Sequence, residues 1–263
     1  MMRAVRLAHE EDFDGWREAA RAMAAAGVAP DQVNWKIGDE PGDLFGGDAL
    51  PPAPKPQAFP VPRRFVDLSR QAICHSDRER FALLYTLLLR LRTEPKAISD
   101  EAEPLVRRLA LMAKDVRRDM HKMHAFVRFR EVAADGGEPR FVAWFEPDHH
   151  IVRANAGFFV RRFANMTWSI LTPELSIHWD GERLTESPGA VRADAPEGDP
   201  VEEVWKTYYA SIFNPARVKT KAMLKEMPKK YWKNMPETGL VAPLLAGARA
   251  RVDAMLDQGT ETG

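Results

Sequence analysis

Five residues of this chain, EPDHH, contain Glu146, Asp148, His149 and His150. Carboxylates and imidazoles at this density are the residue types that move protons or bind metal near neutral pH. Their spacing limits what they can do together. Side chains of neighbouring residues diverge by about 100° on a helix and about 180° on a strand, so His149 and His150 rarely serve one metal. His121 and His124 lie three apart and can share a helical face. They sit beside Arg117, Arg118 and Lys122, and nearby positive charge favours an anion over a cation. There is no HExxH pattern and no pair of cysteines. No metal site and no cofactor are therefore expected. His121, Glu146, Asp148 and His149 are the candidates for catalysis, and phosphate contact is the better use of His121. The plainer alternative is that Asp148 caps a helix while its neighbours are surface residues.

Basic residues give the stronger signal. The chain as a whole balances 38 basic against 38 acidic residues, which argues against a general polyanion binder but leaves room for a local patch. Between Asn214 and Glu237, Arg217, Lys219, Lys221, Lys225, Lys229, Lys230 and Lys233 meet only Glu226 and Glu237. Lysine and arginine contact phosphate oxygens, and aromatic faces stack on bases. Tyr231 and Trp232 lie within this segment, where anchoring in a core is the more common role for such residues. Pro215 and Pro228 prevent one continuous helix.

A second basic surface follows from periodicity. Leu105, Leu109, Met112, Val116, Met120 and Met123 recur every three or four residues and form one apolar stripe. Arg107, Lys114, Arg118 and His121 gather on the opposite side. That face is either solvated surface or a phosphate-binding ridge.

The elements that must position these residues read as a helix-rich α+β protein with one main domain. RAVRLA, a helix carrying Phe13, Trp16, Ala20 and Met23, and QVNWKI make a small β-α-β unit over 1–38. Residues 39–62 are a loop rich in proline and glycine. The main body spans 63–255, with a polar tail at 256–263. Within it, 63 to about 92 reads as helical, with Asp77 as a cap. AFVRF and RFVAWFE read as strands around the turn signal Asp135-Gly136-Gly137. A helix follows from Asp148, and TWSIL with LSIHW forms an antiparallel hairpin. DGERLTESPGAVRADAPEGDP reads as a polar loop, and 201–212, 215–234 and 240–256 as mostly helical. Cys74 is the only cysteine, so no internal disulfide forms. The absence of an apolar run of about 18 residues excludes a membrane-spanning helix, and a cytoplasmic location is expected. No phosphate loop, dinucleotide fingerprint or nucleophile elbow is present.

HKMHAFVRF, FVAWFEPDHHIV, FFVRRFANMTWSILTP, YYASIFNPARVKTKAM and EMPKKYWKNMPE resemble blocks of a bacterial family described as DNA-metabolism or DNA-repair proteins of unknown mechanism. The resemblance covers roughly residues 3–255. It is similar to the front half of longer proteins that continue into a UdgX-type uracil-DNA glycosylase, and to proteins encoded beside a radical-SAM protein. The family pattern is matched here by His121, by Pro147, Asp148 and His149, and by Arg217, Lys219, Tyr231 and Trp232. It implies association with DNA repair and supplies no catalytic assignment. The glycosylase half is missing from this chain, so uracil excision by it alone is not expected.

The leading expectation is a DNA-binding accessory protein of repair. It would contact phosphates through Arg107, Lys114, Arg118, His121, Arg217, Lys219, Lys221, Lys229 and Lys230, with Tyr231 and Trp232, and would serve a glycosylase or radical-SAM partner. One alternative is a lesion-processing nuclease or lyase built on the His/Asp/Glu candidates. Another is a protein-interaction scaffold that does not touch DNA.

Overall fold

The computed structural model describes residues 2–38, 60–132, 139–196, 227–243 and 246. The expected loop over 39–59, the turn at 135–137, the helix at 201–212, most of 240–256, and Arg217, Lys219 and Lys221 lie outside the described residues. The chain is α+β and divides into two compact units. The first holds 1–122 and 147–155, the second 123–146 and 156–263.

The first unit opens with β1 (Arg3–Leu7), α1 (Phe13–Ala25) and β2 (Val33–Ile37). The strands pair in parallel from Arg3↔Val33 to Leu7↔Ile37, which demands a crossover, here α1. Asp12 starts this helix by accepting a hydrogen bond from the Gly15 N–H at 2.8 Å. Gly27, at φ +68°, ends it in the left-handed conformation that glycine adopts without strain. Phe13, Trp16, Ala20 and Met23 are buried, as their spacing predicts. Three more helices complete the unit: α2 (Arg63–Ala72), α3 (Arg80–Thr93) and most of α4 (Pro104–Phe126). Trp35 packs on Trp16 at 6.2 Å and on Phe81 at 6.1 Å between ring centres. The Tyr85 hydroxyl donates to the Val28 carbonyl at 2.7 Å.

The helical stretch expected from 63 to about 92, with Asp77 as a cap, is two helices. The break has a physical cause in Arg80, which is fully buried. Its Nε donates to the Ile73 carbonyl at 2.7 Å and its Nη1 to the Asp77 carbonyl at 3.1 Å. The guanidinium thus satisfies carbonyls that a continuous helix would pair with backbone N–H groups. Asp77 accepts from the Glu79 N–H at 2.9 Å, just ahead of α3.

The second unit is built on a five-stranded sheet of β3 (Arg130–Val132), β4 (Arg140–Trp144), β5 (Thr167–Leu171), β6 (Leu175–Trp179) and β7 (Leu184–Pro188), in that order. β4 and β5 are parallel and every other pair is antiparallel. The sheet is therefore mixed, where hairpins alone were expected. The hairpin around Thr172-Pro173-Glu174 forms as read. Other boundaries move. α4 continues through Phe126, so the strand expected at AFVRF starts only at Arg130. α5 (Val152–Arg162) begins four residues after Asp148, which therefore does not cap it. The supposed polar loop contains β7, a polar strand at the sheet edge.

The register separates the two faces of this sheet. Ala143, Trp168, Ile170 and Ile177 are buried on one face, where Phe129 and Phe159 pack on Trp168 at 5.8 and 6.3 Å. The other face carries the cross-strand row Arg130, Val142, Ser169, His178 and Thr185.

Candidate functional site

The EPDHH block is divided between the units. Glu146 belongs to the second, where its Oε1 accepts the Trp144 indole N–H at 2.8 Å. Asp148, His149 and His150 belong to the first. There, Asp119 on α4 organises them. Its side chain is 2% exposed, and its Oδ2 accepts the backbone N–H groups of Asp148 at 2.7 Å and His149 at 2.9 Å. The His150 N–H donates to the Cys74 carbonyl at 2.9 Å. The Asp148 side chain is exposed, as is His121, which makes no hydrogen bond or ion pair with a described residue.

His149 faces the turn between α2 and α3. Its Nδ1 accepts from the Ser76 N–H at 3.3 Å and lies 3.1 Å from the Ser76 hydroxyl. His75 accepts from the next backbone N–H, that of Asp77, through its own Nδ1 at 2.9 Å. The two rings lie 4.2 Å apart, centre to centre. A nitrogen that accepts from a backbone N–H carries no proton, so both rings are set as neutral tautomers with the proton on Nε2. Burial, and then the charge His149 would carry, hold the His75 pKa below the ordinary imidazole value. Among the described residues no group of three or more His, Cys, Asp or Glu could hold a metal ion.

Arg80 and Cys74 complete this corner. Arg80 Nη2 donates to the Glu10 carbonyl at 2.8 Å and also bonds the Glu10 carboxylate. Burial pushes the Cys74 thiol up to about 12, with the Glu11 charge adding to it. The thiol therefore stays protonated at neutral pH and is no nucleophile. Of the residues singled out for chemistry, His149 through its ring and Asp148 through its backbone take part in a clasp that fastens 148–150 onto 74–76 and Asp119, with Arg80 buried beside it. Asp119 was legible in principle. It falls three residues after Val116 and four before Met123, on the edge of the apolar stripe, where a carboxylate must find donors.

The basic face of α4 is exposed as predicted. Arg107, Lys114 and Arg118 are exposed and, like His121, have no ion pair with a described residue. Their neighbours behave otherwise: Arg108 pairs with Asp77 at 2.9 Å and with Glu79, and Arg117 bonds Gln71. The opposite face is buried through Leu109, Met112, Val116 and Met123.

Of the C-terminal basic segment, Lys229 to Trp232 are described, in a 3-10 turn over Lys229–Asn234. Lys229 and Lys230 are exposed. Tyr231 is 1% exposed, its ring between Phe126 at 5.1 Å and Phe145 at 5.3 Å. Tyr231 is an anchor and offers no face to a base. Trp232 is half-buried and donates its indole N–H to the Met227 carbonyl at 3.0 Å.

One further group emerges on the polar face of the sheet. His178 Nδ1 lies 2.8 Å from the Ser169 hydroxyl and its Nε2 2.8 Å from the Ser187 hydroxyl. Burial, and then the Arg140 charge, lower its pKa. A histidine with both nitrogens held by hydroxyls staples three strands together.

Fold and site together define a helix-rich α+β protein in which His149 and the Asp148 backbone are tied into the first unit by hydrogen bonds, and in which Arg107, Lys114 and Arg118 on α4 have no ion pair with a described residue. The chain belongs to the DUF4130 family, a domain of unknown function, whose model matches residues 78–237. That span runs from the start of α3 through Tyr231 and Trp232. No curated protein and no solved structure matches this chain. Among the described residues no helix is long and apolar enough to cross a membrane.

Proposed function

We propose that this protein is a DNA-binding accessory factor of DNA repair, acting in the cytoplasm beside an enzymatic partner. One observation carries the reading: Arg107, Lys114, Arg118 and His121 form an exposed row on α4 with no described counter-ion. From Arg107 to Arg118 the row extends about 16 Å at ~1.5 Å per residue, long enough to follow several backbone phosphates. Such contacts position DNA without reading its sequence. Lys229 and Lys230, with Arg217, Lys219 and Lys221, add a second set of cations. The sequence resemblance supports the repair setting and names the partner classes, a UdgX-type glycosylase or a radical-SAM protein. The engagement of His149 and Asp119 in a clasp favours this reading over a nuclease or lyase.

The test is equilibrium binding of a labelled duplex and a labelled single strand, for the wild type and for the triple variant Arg107→Glu, Lys114→Glu, Arg118→Glu. Saturable, salt-sensitive binding that the triple variant loses is the expected result. DNA affinity that survives the charge reversal sinks the reading.

A further inference from the structure

The polar face of the second unit's sheet leads to a cationic hollow that the reading above does not use. Arg128 precedes β3, Arg130 opens it, and Arg192 begins a short turn after β7. With Val142, Trp144 and Ala195 they line a cavity of about 10 Å³, room for roughly one water-sized group. Guanidinium groups stay charged at any physiological pH. Arg128 Nη1 donates to the carbonyls of Ala125 at 2.6 Å and Val127 at 3.2 Å. Arg130 Nη1 donates to the Pro196 carbonyl at 2.9 Å. The Arg192 side chain makes no hydrogen bond or ion pair with a described residue, and no described carboxylate pairs with any of the three.

These bonds fix two guanidiniums in place, and their Nε and Nη2 donors bond no described residue. Trp144, 6% exposed, supplies an apolar wall that limits screening by water. Three like charges around one hollow repel each other, and an anion that accepts from all three removes the repulsion. We infer that Arg128, Arg130 and Arg192 form a binding site for a single phosphate monoester group. A monoester carries about −1.5 to −2 at neutral pH and three terminal oxygens for forked guanidinium donors. The hollow takes one terminal oxygen, and the remaining atoms of such a terminal group stay at the mouth. A phosphodiester, with chain continuing on both sides, does not present one. The two sources of this chemistry are the 5′-phosphate of a DNA end and a free nucleotide. The inference does not rest on the α4 row.

Calorimetric titration with deoxythymidine 5′-monophosphate and with deoxythymidine tests it. Saturable binding of the monophosphate alone is expected, weakened at least tenfold by Arg192→Gln and by Arg130→Gln. Because Arg192 bonds no described residue, its variant melts like the wild type. The Arg107→Glu, Lys114→Glu, Arg118→Glu triple variant retains the site, so failure of the duplex-binding reading is seen separately. An oligonucleotide with a 5′-phosphate that binds tenfold tighter than its 5′-hydroxyl twin and than the free nucleotide identifies a DNA end as the source. Equal affinity for free nucleotide and phosphorylated oligonucleotide identifies the nucleotide, and both results support the pocket. Binding of nucleoside and nucleotide alike, no binding of either phosphate probe, or binding undiminished in Arg192→Gln overturns the proposal. The chain's own acids Glu197 and Asp199 follow Pro196 in sequence. Binding seen only in the Glu197→Gln, Asp199→Asn variant makes the hollow an internal ion-pair site and also overturns the proposal.

Discussion

Asp119 is the residue whose loss should be felt most in the first unit. It is a buried carboxylate accepting two backbone N–H groups, and hydrogen bonds to a charged group are worth ~1.5–3 kcal/mol each. Asp119→Ala leaves both donors unsatisfied and should lower stability by about 3 kcal/mol, read from the urea unfolding midpoint at constant slope. Asp119→Asn, which keeps an acceptor, should lose less. An unchanged midpoint would mean that the clasp carries no weight. His75 and His178 supply a pH dependence of defined sign. Burial holds both pKa values below the ordinary 6.5 in the fold. Protonation therefore favours the unfolded chain. Their contribution is fully present above about pH 6.5 and is lost as the pH falls below it through the depressed values. Unfolding midpoints between pH 7.5 and pH 5 should drop, and His75→Gln should reduce the drop; a pH-independent midpoint refutes it. The residue types of this cluster were legible in the sequence, but their purpose was not. The partners of His149 are Ser76, 73 positions away, and an acid hidden within a helix that reads as cleanly amphipathic.

At the scale of elements, legibility followed periodicity. α1 and α4 carry their apolar residues at helical spacing, and both fold as that spacing dictates. The break between α2 and α3 was legible only in part, through the cap expected at Asp77. What the sequence does not show is that the Arg80 side chain bonds the Ile73 and Asp77 carbonyls and reaches Glu10, 70 positions away. β7 was missed because an edge strand need not carry an apolar alternation. This assigns Arg80 an energetic role. It pairs with Glu10 and caps Ile73 and Asp77 from a fully buried position. Removing one member of a buried charge pair costs ~3–5 kcal/mol, so Arg80→Ala should destabilise the protein by about that amount. Arg80→Lys should rescue little, because an ammonium has no planar fork to reach three acceptors at once. Thermal melts of the two variants decide this. Full rescue by lysine would mean that charge alone, and not the fork, holds the break.

Over the whole molecule the formal net charge is zero. A neutral chain has no overall field with which to gather DNA, so any affinity must come from local rows of cations. Such binding has a countable signature. Each phosphate neutralised on duplex DNA contributes about −0.9 to the slope of log affinity against log salt. The triple variant Arg107→Gln, Lys114→Gln, Arg118→Gln removes three contacts without introducing repulsion. Its slope on a duplex should be shallower than that of the wild type by about 2.7, and by about 2.1 on a single strand. Neutralising Lys219, Lys221, Lys229 and Lys230 should flatten the duplex slope by up to about 3.6. If the two sets act independently, their effects on the slope add. A triple variant that binds more weakly at every salt concentration with an unchanged slope would have lost structure and not phosphate contacts, and the α4 row would then have no part in holding DNA.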